Sequence, residues 1–210
     1  IPHSSAWDLA DQDFKIEFCA YARTNVKSQA AQQYILNHSV NVQNNSLSWG
    51  WLLGLGTTGN MDMLYSPNGM AGSGANNSWR GMGTVINIPI NEWHHYAYCR
   101  SGDTVRVFYD GVLQAETNVG TDSVYNPQQP LLIGRRDDGV TPPTHSFDGY
   151  IQDLRISKVA QYVCNFTPPD ALLTKCCPDP VEPACDDVAV SYTHLRAHET
   201  VLDLVCRLLL

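Results

Sequence analysis

Paired carboxylates, paired histidines, loop acids and loop aromatics are the residues in this chain whose types and spacing bear on chemistry. Retaining cleavage of a glycosidic bond sets two carboxyl groups about 5.5 Å apart, which on a strand means acids at i and i+2 or i+4 on one face. No predicted strand carries such a pair. Glu17 is alone in its segment, and Asp148 and Asp153 are five apart, which alternation places on opposite faces. His94 and His95 are adjacent, so on a strand they point to opposite faces and cannot chelate one ion without a bulge. Asp62, Asp137 and Asp138 are loop acids, and hard oxygen ligands of that kind suit calcium when backbone carbonyls complete the shell; the alternative is that they are solvated turn residues. No GxSxG stretch marks a nucleophile elbow, and no CxxC pair marks a zinc site.

The most informative set lies in Pro67 to Gly83, PNGMAGSGANNSWRGMG. Trp79 has no alternating apolar neighbours to place it in a sheet, and it is followed by Arg80 and preceded by Asn77. Sugar rings stack on Trp and Tyr faces while Asn and Arg side chains hydrogen-bond hydroxyls, so this loop is the expected ligand site, with Tyr65 and Tyr125 as weaker members. The competing expectation is that Trp79 folds back over the open edge of the core. His194 and His198 have the i,i+4 spacing of a metal pair beside Glu199, but a motif counts only in its structural context.

These residues need a frame, and the frame is set by Trp93 to Glu116, WHHYAYCRSGDTVRVFYDGVLQAE. Trp93 to Arg100, Thr104 to Tyr109 and Val112 to Glu116 read as a three-stranded meander. Asp110-Gly111 supplies the positive φ angles of a type I′ hairpin, and the β-branched and aromatic residues suit a pleated surface. Trp93, His95, Ala97 and Cys99 share one face of the first strand, and His94, Tyr96, Tyr98 and Arg100 the other. Apolar content on both faces places this strand inside packed layers.

Further strands are expected at Phe14 to Ala22, Tyr34 to Asn37, Ser48 to Leu55, Met61 to Ser66, Thr84 to Ile90, Leu131 to Gly134 and Gly149 to Ser157. Ile1 to Asp13 reads as a leading loop, Pro67 to Gly83 as a long one because glycine is too dense there for a strand interior, and Lys158 to Tyr162 as a possible helical turn. Strand after strand with turn chemistry between is the pattern of an all-β protein, an antiparallel two-sheet sandwich.

The bulk numbers agree. The chain has 210 residues, 43% of them apolar and 16% charged, enough for one domain with a real core. A formal charge of −8 leaves no basic stripe to replace counterions on a phosphate backbone, so nucleic acid is excluded as a partner. No run approaches the length of a membrane span. Of the seven cysteines, Cys19 and Cys99 fall in strands as small buried hydrophobes, and a disulfide among the rest implies an oxidising compartment.

IPHSSAWDLADQDFKIEF, GWLLGL, NEWHHYAYCRSGDTVRVFYDGVLQ, LLIG and SFDGYIQDLRISKVAQYVCNFTPP together resemble the concanavalin A-like, laminin-G-like jelly-roll domains, especially those of phage tail and virion proteins. The likeness spans residues 1–169. It implies an all-β jelly-roll sandwich, a family first strand lying before Ile1, a core position at Cys19 smaller than the family's usual aromatic, a structural role for Asp153 with Arg155 on its face, and calcium in some relatives. It also implies a virion or extracellular setting, with a glycan or cell-surface polysaccharide and other virion proteins as partners. Two readings follow: a non-catalytic carbohydrate- or surface-binding module, or a structural virion or spacer domain without ligand. A glycoside hydrolase relative is a third, which the missing carboxylate pair disfavours.

Residues 170–189, with CCPDPVEPACDD, are too rich in Pro and Asp to bury a core and read as a linker. VSYTHLRAHET and LVCRLLL, within residues 190–210, resemble a transposase-type sequencing adapter translated in one frame. On that reading the His194 and His198 pair carries no metal chemistry and the tail stands apart from the fold.

Overall fold

The computed structural model describes residues 1–24, 32–39, 49–56, 59–69, 80–84, 87–136 and 145–169. A short 3-10 turn at Ser5–Trp7, capped by the Ser4 hydroxyl, buries Trp7. Ten strands follow among the described residues: β1 (Phe14–Ala22), β2 (Gln33–Ser39), β3 (Trp49–Leu55), β4 (Met61–Tyr65), β5 (Arg80–Gly83), β6 (Trp93–Ser101), β7 (Thr104–Tyr109), β8 (Val112–Asn118), β9 (Leu132–Ile133) and β10 (Gly149–Ser157). They form two five-stranded sheets, ordered β10-β1-β6-β7-β8 and β5-β4-β3-β2-β9, with antiparallel pairing throughout. This is the antiparallel two-sheet sandwich expected from the alternation, with the jelly-roll architecture that the family resemblance implied.

The core lies between the sheets. Phe14, Ile16 and Phe18 of β1 and Tyr96 and Tyr98 of β6 face Leu53, Met61 and Met63 from the second sheet. Period-two alternation puts each set on one face, and burying an aromatic or branched side chain contributes about 1.5–3 kcal/mol. Trp51 is fully buried and donates its indole N–H to the Trp7 carbonyl at 3.2 Å, tying the leading segment to the core.

Two expected elements differ. The strand after the Gly-dense segment is Arg80–Gly83, paired with β4, and the described residues between Thr84 and Ile90 are not strand. Ile88 is buried, but its N–H donates to the Gly59 carbonyl rather than into a ladder, and Pro89 has no N–H to give. Lys158 to Tyr162 contains no helical turn.

The chain from Lys158 to Phe166 explains why β6 is apolar on both faces. It crosses the outer face of the first sheet as a strap, placing Tyr162 and Phe166 on Ala97, Cys99 and Phe108. Their rings stack on each other at 3.6 Å. The strap is fastened to the β7–β8 hairpin: Phe166 N–H donates to the Gly111 carbonyl at 2.9 Å, and Leu113 N–H donates to Asn165 Oδ1 at 2.8 Å.

Beneath the strap is a buried ionic cluster centred on Glu17, itself 0% exposed. Lys15 Nζ stands 2.6 Å from one carboxylate oxygen and Arg155 Nη1 3.6 Å. The Tyr162 hydroxyl donates to the other oxygen at 2.9 Å, and His95 Nε2 lies 3.5 Å from it. Lys15 also donates to Gln161 of the strap. Cys19 faces this outer side, half-buried, so it is not the core position the family likeness implied. The reason is register: Cys19 alternates with Phe18 and Ala20, which take the core.

Candidate ligand-binding site

β4 alternates Met61, Met63 and Tyr65 inward with Asp62 and Leu64 outward. At its end Tyr65 pairs across the ladder with Arg80 of β5. The chain after β8 comes to the same place, where Tyr125 N–H donates to the Ser66 carbonyl at 2.9 Å. The Tyr125 ring rests on Gly69, whose φ is +79° and where a Cβ would stand 2.7 Å from a ring carbon, so only glycine admits the ring.

Arg100 of β6, 2% exposed, fixes the approaching loop from below. It donates to the carbonyls of Asp122 at 2.6 Å, Gly120 at 3.2 Å and Gly102 at 2.9 Å. With its backbone held, Asp122 turns its carboxylate to Arg80 Nε at 2.9 Å. Three of the residues singled out from the sequence, Tyr65, Arg80 and Tyr125, therefore meet at one end of the second sheet, together with Asp122, which sequence reasoning missed. Nothing in the local sequence marks Asp122, because its position depends on Arg100 from another strand.

Their roles divide by exposure. The Arg80 side chain is 46% exposed and presents donors on a rigid ladder end. Tyr125 is half-buried. Tyr65 is buried at 2% exposure beside Trp51 across the ladder, so its ring is core and no stacking surface. Burial, aided by the Asp122 charge, pushes its phenol up, keeping it protonated. Trp79 and Asn77 lie outside the described residues, as do Asp137 and Asp138.

Asp62 sits elsewhere, at the start of β4 on the outward side. Its carboxylate occupies the space that Cβ atoms at Gly56 and Gly83 would fill, 2.1 and 1.9 Å from its oxygens. Burial pushes its carboxyl up to about 6. Such a value would suit a general acid, but its ladder partners are Gly54 and Gly83, so neither supplies a second carboxylate. Among the described residues no group of three His, Cys, Asp or Glu side chains is placed to hold a metal ion, so Asp62 belongs to no such cluster there. His94 and His95 do face opposite ways. His94 Nδ1 contacts Asp110 Oδ2 at 2.8 Å, while His95 packs edge-on to Phe166 of the strap.

A laminin G family model described as the Concanavalin A-like lectin/glucanases superfamily matches residues 5–161. The chain belongs to that superfamily. Its solved relatives share the concanavalin A-like fold at low identity. A candidate carbohydrate binding protein from Bacteroides ovatus superposes with a TM-score of 0.52 at 15% identity, over 73% of this chain and 39% of that one. Domain 4 of AbnA, an extracellular arabinanase from Geobacillus stearothermophilus, in complex with arabinotriose, gives 0.51 at 18% identity, over 76% of this chain and 66% of that one. Domains LG4-5 of the mouse laminin alpha1 chain give 0.50 at 11% identity, over 71% and 36%. This concanavalin A-like chain thus spans less than two thirds of each of those chains. No curated protein sequence matches it. Among the described residues no helix is long and apolar enough to cross a membrane.

Proposed function

We propose that this chain is a non-catalytic carbohydrate-binding module, displayed on a phage tail or virion appendage or on a secreted protein, with a cell-surface polysaccharide as its partner. The observation that carries the proposal is the convergence of Arg80, Asp122 and Tyr125 at a loop end of a rigid sandwich. An exposed guanidinium and a carboxylate offer directed donors and acceptors to sugar hydroxyls, and a tyrosine ring beside them offers an apolar face. Similarity to a candidate carbohydrate binding protein and to a domain in complex with arabinotriose supports the same reading. The disulfide at Cys164 suits an extracellular setting.

The carboxylates argue against hydrolysis. Glu17 is sealed beneath the strap with Lys15 and Tyr162 on its oxygens, and Asp153 is 4% exposed. Neither reaches a substrate. The test is an array of bacterial surface polysaccharides and defined oligosaccharides probed with the intact chain, with Arg80→Ala and Tyr125→Ala, each with and without EDTA. Binding that both variants weaken while their thermal melts stay unchanged is expected. A chain that retains nothing on the array is a spacer domain, and the proposal fails.

A further inference from the structure

One row of side chains on the outer face of the first sheet is aromatic on three neighbouring strands. Tyr21 of β1 pairs with Tyr150 of β10 on one side and with Trp93 of β6 on the other. The ring centroids are 5.8 Å apart for Tyr21 and Tyr150, 5.7 Å for Tyr21 and Trp93, and 6.4 Å for Trp93 and Tyr150. Trp93 is 47% exposed and Tyr150 37%. Exposed singly, such residues are ordinary; three in one cross-strand row form a continuous surface.

The row exists because of a backbone irregularity. Glu17 pairs with Arg155 and Cys19 with Gln152, so β10 holds one extra residue between them. Asp153, in that interval, has φ +57°. Simple alternation would place Tyr150 and Arg155 on opposite faces; the bulge returns Tyr150 to the outer face, beside Tyr21. A bulge that re-aims a large aromatic toward solvent works against burial, the usual fate of such a ring.

We propose that Tyr150, Tyr21 and Trp93 form a stacking platform for a neutral oligosaccharide, separate from the loop end that carries Arg80; the proposal rests on the carbohydrate-binding reading. Three adjacent strands span about 10 Å, long enough for more than one sugar ring, and three aromatic side chains of about 150–250 Å² each fall far short of the 1,200–2,000 Å² or so of a stable protein interface. The strap prevents extension along the sheet, since Phe166 already covers His95 in the next row. At the other border Arg23 pairs with Asp148 and lies over the Tyr150 ring at 5.9 Å, so these two charges offset each other. An aromatic surface, its rings tilted 35° to 60° to one another and edged by a paired, still exposed donor and acceptor, fits an uncharged polyhydroxyl ligand better than an anion or a cation.

The test titrates the intact chain with neutral arabino-, xylo-, gluco-, galacto- and manno-oligosaccharides, and with sialyllactose as the anionic probe, following the Trp93 indole N–H by NMR. At least one neutral oligosaccharide is expected to move that signal, in the parent chain and in Arg80→Ala alike. Trp93→Ala and Tyr150→Ala should each weaken that binding by about tenfold or more with the melt unchanged, and Trp93→Phe should retain part of it. Oligosaccharide binding that leaves the Trp93 signal and the Trp93→Ala affinity unaltered overturns the platform but not the carbohydrate-binding module. Binding of sialyllactose alone at this row overturns the neutral-ligand assignment. Binding of no sugar overturns both. A dimer in sedimentation that Trp93→Ala dissociates assigns the row to self-association instead and overturns the platform.

Discussion

Replacing Glu17 by Gln removes the centre of the ionic cluster under the strap. Burial alone would raise the Glu17 carboxyl; the His95 contact and the charge and hydrogen bond of Lys15 outweigh it and lower it from 4.5 to about 2. A folded-state value below the unfolded one contributes stability that is complete above pH 4.5 and is lost as pH falls through 2. The gap corresponds to about 3 kcal/mol, and because Glu17 is fully buried little of it is screened. Urea unfolding at steps between pH 5 and pH 2 should therefore show the parent chain losing about 3 kcal/mol more than Glu17→Gln over that window. At neutral pH the same variant should be less stable by about 3–5 kcal/mol, since it leaves Lys15 buried without its counter-charge. Lys15→Met with Glu17→Gln removes both charges and should recover much of that loss, which keeps the acid comparison measurable if the single variant does not fold. Parallel acid curves for the parent chain and the double variant would refute the reasoning, because Glu17 would then not hold a charge in the fold.

Gly111→Ala should destabilise by more than about 1 kcal/mol and loosen the strap, because φ there is +75° and the new Cβ would meet the Phe166 carbonyl oxygen at 1.9 Å; thermal melts and hydrogen exchange at Phe166 N–H read the two effects. Asp62→Asn should stabilise at pH 7 by about 1 kcal/mol after allowance for solvent screening. Its folded value, about 6, lies above the ordinary 3.8, so the penalty is absent below pH 3.8 and complete above pH 6. A gain that does not vary with pH would contradict that origin. Removing residues 190–210 should leave the melt of the remainder unchanged, and a loss of more than a few degrees would show that they pack on the fold.

The parts of the fold legible in the sequence were those fixed by local chemistry. Asp110-Gly111 announced its hairpin, and the two residues do hold φ +47° and +75°. The boundaries of β1 and β10 followed from alternation. β5 was hidden because RGMG is glycine-rich for a packing reason: Leu64 and Asp62 lean over Gly81 and Gly83, so the residues that argue against a strand are the ones that let neighbouring side chains cross it. The strap was invisible because an extended segment has no period, and its two anchors, Tyr162 and Phe166, acquire meaning only against Phe108 and Ala97 of distant strands. Tyr65, Arg80 and Tyr125 were found by residue type, but which of them faces solvent was decided by tertiary register. The aromatic row required the bulge at Asp153, and alternation read through that bulge puts Tyr150 on the wrong face.

β1 is the first of the described strands and lies inside its sheet, between β6 and β10. Both of its neighbours arrive late, and the Tyr162 that seals Glu17 is separated from it by 145 residues. Loop closure on that scale must precede any reward from pairing, so the chain should fold slowly for its size. During synthesis the β10-facing edge of β1 stays unpaired by β10, and Glu17 stays unsealed, until β10 and the strap have left the ribosome. The charges that are costly to bury in the finished protein should keep that strand soluble while it waits, as charged side chains do on exposed edges generally.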